Sequence, residues 1–82
     1  MNSTLITEWF TKYKSELYRY AVNKTGNHDI AEDIVQEVYM AALENSKLHE
    51  IKQARAWLFG ILKNKIYAYY QLQGRTVAIE NE

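Results

Sequence analysis

Asp33, Gln36, Glu37 and Met40 recur at helical spacing in the middle of the chain, and Asp29 and Glu44 continue the series at either end. At 100° per residue these six side chains share a sector of about 100° on one side of a helix. A merely solvated face tends to mix Lys with Glu at i, i+4 spacing, whereas none of these positions is basic. Acids beside an adaptable Met suit docking on a basic protein partner, with a plain solvated face as the alternative reading of the same pattern. A second series follows: Trp57, Gly60, Lys63, Asn64, Tyr67, Tyr70 and Gln71, with Lys52 and Arg55 just ahead of it. Rings interleaved with cations and amides can stack on unpaired nucleobases and bond to their edges. Trp57 and Phe59 are more often rings that a core buries or half-buries, while Tyr67 and Tyr70 fall outside the core arc.

No constellation for covalent chemistry accompanies these faces. Glu32 and Asp33 are adjacent and diverge on a helix, so they do not converge as an acid–base pair. Ser3, Ser15 and Ser46 have no partnered base, and there is no glycine-rich phosphate loop. His28 and His49 lack ligand spacing, and Cys is absent, so neither a metal site nor a cofactor is expected. The expectation is a non-enzyme.

The 82 residues suffice for one small domain that buries about 60% of its unfolded surface, held by packing alone. The Cys-free composition suits a reducing cytosol. No apolar run of about 18 residues occurs, and the opening MNSTLITEWF has no basic n-region or cleavage site, so a soluble, cytoplasmic chain is expected. Net charge is zero but unevenly spread. Residues 1 to 45 hold four basic and seven acidic side chains, residues 46 to 75 hold six basic ones against Glu50, and the tail adds Glu80 and Glu82. Phosphate neutralisation supplies most non-specific DNA affinity, so a neutral domain that handles DNA must be assisted.

Three helices must position these residues. With Pro absent and Gly only at 26, 60 and 74, the apolar spacing predicts an all-α fold, a small bundle of three main helices with an extra short helical turn allowed for. The first helix is expected from about Leu5 to Lys24, capped by Ser3 or Thr4 and ended near Gly26, with Ile6, Trp9, Phe10, Tyr13, Leu17, Tyr20 and Ala21 as its packing stripe. Asn27 or Asp29 can cap the second, and Asp29 with Glu32 fits a capping box. Ile30, Ala31, Ile34, Val35, Val38, Ala41 and Ala42 form that helix's apolar side, opposite the acids. Residues 45 to 53 lose the pattern and predict a loop, itself a candidate for function. The third helix is expected from Ala54 to about Leu72, with Leu58, Ile61, Leu62, Ile66 and Tyr69 inward and Lys65 snorkelling from the same arc. One domain is expected over 1–75, and 76–82 as the start of a linker or a disordered tail.

The stretch LYRYAVNKTGNHDIAEDIVQEVYMAAL, followed after a loop by ARAWLFGILKNKIYAYY, resembles region 2 of bacterial RNA polymerase sigma factors, most of all the short extracytoplasmic-function (ECF) class. The likeness covers roughly residues 10 to 72, and the motifs AEDIVQEVY and WLFGILKN carry it. It implies that Asp33, Gln36 and Glu37, with Met40 beside them, dock on the coiled-coil clamp helices of the polymerase β′ subunit. It also implies that the loop 45 to 53 and Trp57, Lys63, Asn64 and Tyr67 read the non-template strand of the minus-ten promoter element once a base has left the stack. Lys52, Arg55 and Gln71 complete the candidate DNA-binding set. An anti-sigma factor is a further partner the family commonly has. Two departures stand out. Family members often have a basic residue where Gly60 stands and Arg-rich sequence after the last helix, whereas this chain has YYQLQGR with a single Arg75. The second helical domain, which in the family binds the minus-thirty-five element, is not in this sequence; the favoured expectation is that TVAIENE is a linker at which that domain was cut away, and the alternative is a stand-alone variant. The rival readings are a helical protein-interaction module without DNA binding and a helix-turn-helix duplex binder. The nine-residue loop and the long neutral third helix speak against the latter.

Overall fold

Helix α1 spans Ser3–Thr25, α2 His28–Leu43 and α3 Ala54–Leu72 in a computed structural model that describes residues 3–45 and 51–72. Ser3 and Thr4 are already helical, so neither is the N-cap that the sequence suggested. Residues 46–50 of the expected loop, with His49, and everything beyond Leu72 also lie outside them. The described residues hold three helices and no strand, and none of the helices is long and apolar enough to cross a membrane.

The α1–α2 turn is the shortest joint of the bundle, and its residues explain it. Gly26 takes φ +69°, the left-handed conformation that glycine adopts without a Cβ penalty, and its N–H bonds Val22 O at 2.7 Å. The next residue, Asn27, is extended, and its Oδ1 accepts the N–H of Ile30 at 3.0 Å. Asn27 is therefore the N-cap and Asp29 is not; the acid sits in the first turn, where it complements the positive end of the helix dipole.

The three helices pack around one apolar core. Ile6, Phe10, Leu17 and Ala21 of α1 meet Ala31, Ile34, Val35, Val38 and Ala42 of α2 and Leu58, Leu62 and Ile66 of α3. Partly buried rings close its margins: Trp9 meets Trp57 edge-on with centroids 6.0 Å apart, Phe10 tilts against Tyr39 at 4.6 Å, and Tyr20 meets Phe59 edge-on at 5.6 Å. Such pairs add to area burial through the ring quadrupoles. No polar or charged residue is buried among the described residues, so the functional groups all reach the surface.

Candidate functional site

On α2 the apolar residues consume one side and leave Asp29, Glu32, Asp33, Gln36, Glu37 and Met40 exposed on the other. Met40 is 60% exposed, unusual for a thioether and consistent with a contact surface. Among the described residues no ion pair engages Asp33 or Glu37. Asp33 and Gln36 also border an open groove of about 620 Å³ between α1 and α2, whose other wall includes Phe10, Lys14 and Tyr18. The face is thus an acidic ridge with one cation, Lys14, along its flank.

On α3 the predicted nucleic-acid residues divide into three groups. Gly60, Asn64, Tyr67 and Gln71 form one exposed stripe at i, i+4, i+7 and i+11. Within it, Gln71 Nε2 donates to the Tyr67 hydroxyl at 2.6 Å, which orients a ring that is 39% exposed. Trp57 and Lys63 are half-buried: the indole leans on Trp9, and the Lys63 ammonium lies 5.8 Å from the centre of the Tyr20 ring. Tyr70, expected outside the core arc, is half-buried too, and its hydroxyl donates to the Lys24 carbonyl at the end of α1. A ring anchored in that way is a tie between helices, not an open platform.

The third group is cationic. Lys52 is exposed just ahead of α3. Arg55 is exposed but engaged: Nε and Nη2 donate to the two carboxylate oxygens of Glu16 at 3.2 and 3.0 Å, and the guanidinium lies 4.8 Å from the Phe59 ring centre. The hydrogen bond from Arg55 holds the Glu16 carboxyl below the ordinary carboxylate range, and the same bond raises the guanidinium. This α1 partner escaped the sequence reading. The only available signal was the spacing of Glu16, Arg19 and Asn23, a polar strip beside the core stripe of α1. These three, with Tyr20, Arg55 and Phe59, line a shallow groove of about 250 Å³ between α1 and α3.

Among the described residues no group of three or more His, Cys, Asp or Glu could hold a metal ion. The arrangement is suited to binding by two separate surfaces, one acidic and one aromatic and basic.

Comparison with known proteins bears on both. The family described as sigma-70 region 2 matches residues 9–76. A probable RNA polymerase sigma factor of Haemophilus influenzae is 36% identical over 70 residues, 84% of this chain and 36% of the relative. The ECF RNA polymerase sigma factor SigM of Bacillus subtilis is 26% identical over 77 residues, 94% of this chain and 47% of the relative. The ECF RNA polymerase sigma factor SigL of Mycobacterium tuberculosis is 33% identical over 66 residues, 78% of this chain and 37% of the relative. The chain therefore spans between a third and a half of the length of these curated relatives. No solved structure matches it.

Proposed function

The chain belongs to the sigma-70 region 2 family, and from that premise we propose that it is the polymerase-docking and promoter-melting domain of an alternative, ECF-type sigma factor acting in the cytoplasm. Members of this family are non-enzymatic regulatory subunits, so no catalytic step is assigned to it. Asp33, Gln36 and Glu37, with Met40 beside them, form the docking handle for the β′ clamp helices of core RNA polymerase. Asn64, Tyr67 and Gln71 meet the unpaired non-template strand of the minus-ten element, Trp57 and Lys63 wall the site, and Lys52 and Arg55 reach the backbone. An anti-sigma factor that covers either face would silence both activities.

The observation that carries this reading is the exposure of the α2 acids and of the Gly60, Asn64, Tyr67 and Gln71 stripe on a bundle whose buried residues, among those described, are all apolar. Neither the α2 acids nor the exposed α3 stripe fills the core, so each can serve a partner.

The energetics fit a tethered domain. Unstacking one base costs a few kcal/mol, and a protein that binds only the flipped base shifts the duplex toward opening by its differential affinity. Stacking on an aromatic ring contributes about 1 to 3 kcal/mol per base, enough for one captured base with a few phosphate contacts to offset local opening. A neutral domain adds little long-range attraction of its own. Docking on the polymerase raises its effective concentration at the promoter and makes up the difference.

The test is a ranking of DNA ligands. A single strand with the minus-ten sequence should bind more tightly than the matching duplex, and Tyr67→Ala should weaken it by roughly fivefold to a hundredfold, the range a lost stacking contact gives. Preference for duplex, or equal loss on scrambled strands, rejects strand reading by α3.

A further inference from the structure

Glu16 and Arg55 form an exposed fork-to-fork pair, with their side chains 44% and 56% accessible. A guanidinium presents the same two parallel donors to a carboxylate as to a phosphate, and an exposed pair of this kind contributes little to stability. The fork lies in the α1–α3 groove, where Arg19 adds a second guanidinium and Asn23 an amide. Two further cations approach one of its lining rings: Lys24 and Lys63 lie 5.5 and 5.8 Å from the Tyr20 ring centre. Glu16 is the one acid among the residues that line this groove. Lys63, beside the Tyr20 ring, precedes Tyr67 of the strand-reading stripe by one helical turn.

We propose that Glu16 is an internal stand-in for phosphate: its carboxylate occupies Arg55 in the free domain and gives way to a backbone phosphate of single-stranded DNA, so that the α1–α3 groove carries the backbone while the α3 stripe takes the bases. The inference rests on the strand-binding function proposed above and extends it to α1. One acceptor replaces another on the same guanidinium. The exchange sets a threshold, since a phosphate must outcompete a carboxylate that is always present, and it keeps the free domain from binding nucleic acid indiscriminately.

The discriminating experiment is a double-mutant cycle read by fluorescence anisotropy with labelled single strands, minus-ten and scrambled, over a series of salt concentrations. Glu16→Gln should tighten both strands by about threefold to tenfold, because a phosphate then reaches Arg55 without displacing a carboxylate. In an Arg55→Gln background the same change should do nothing. Arg19→Gln, with the fork intact, should make the salt dependence shallower by about 0.7. No tightening with Glu16→Gln overturns the stand-in role, as does tightening that persists undiminished without Arg55, because loss of one negative charge then explains it. If Tyr67→Ala still weakens the minus-ten strand selectively while Glu16→Gln is silent, strand reading stands and this inference falls. If the unmodified chain binds no single strand, both fall together. Unchanged far-ultraviolet circular dichroism of each variant certifies the fold.

Discussion

Asn27 caps α2 with a single side-chain oxygen, and the cost of losing it is calculable. Asn27→Ala removes the acceptor for the Ile30 N–H and should destabilise the domain by about 1 kcal/mol, lowering the melting temperature by roughly 4–8 °C. Asp29→Ala should cost less, since the acid only complements the dipole. Gly60 makes the opposite case. It sits inside α3, and a Cβ built there meets nothing within 4 Å, so Gly60→Ala should raise stability by about 0.5–1 kcal/mol in a denaturant titration. A loss instead would mean that the helix needs glycine there. The Glu16–Arg55 fork adds a pH signature. Because the folded Glu16 carboxyl is depressed, the fork's contribution is complete above the ordinary carboxylate range and fades as pH falls through the lowered value. Arg55→Gln should blunt that acid limb of the stability profile.

Most of each helix was legible because one period governs it. The apolar stripe of α2 fixes which side is buried, and the acids opposite are exposed as a geometric consequence. Leu62, fully buried on α3, should cost about 2–5 kcal/mol on replacement by Ala, with cooperative loss of helicity on heating. What the sequence did not reveal lies between helices. Periodicity gives the azimuth of a side chain on its own helix but not the rotation and offset of the helix against its neighbour. Trp57 against Trp9, Tyr70 on the Lys24 carbonyl and Arg55 on Glu16 all depend on that offset, and each changes the standing of a residue first read as a nucleic-acid contact or an open ring. The choice of Asn27 over Asp29 as cap was undecided for a related reason: either oxygen suits a cap, and only the backbone at Asn27, φ −147° and ψ 122°, settles which residue stands outside the helix.

At the scale of the whole molecule, zero net charge hides a division of labour: an acidic face on α2 and a basic, aromatic one built from α3 and α1. The apolar core between them fixes their relative orientation, and under the proposed function a protein partner would hold one face while DNA meets the other. Docking comes first in this scheme, because without it a neutral bundle has too little attraction for DNA to melt anything. The most direct measurement is therefore the affinity of the chain for core RNA polymerase, with and without Asp33→Lys. A loss of about tenfold or more at unchanged helicity, equivalent to about 1.4 kcal/mol, is predicted, while equal affinity of the two proteins would contradict docking through the α2 acids.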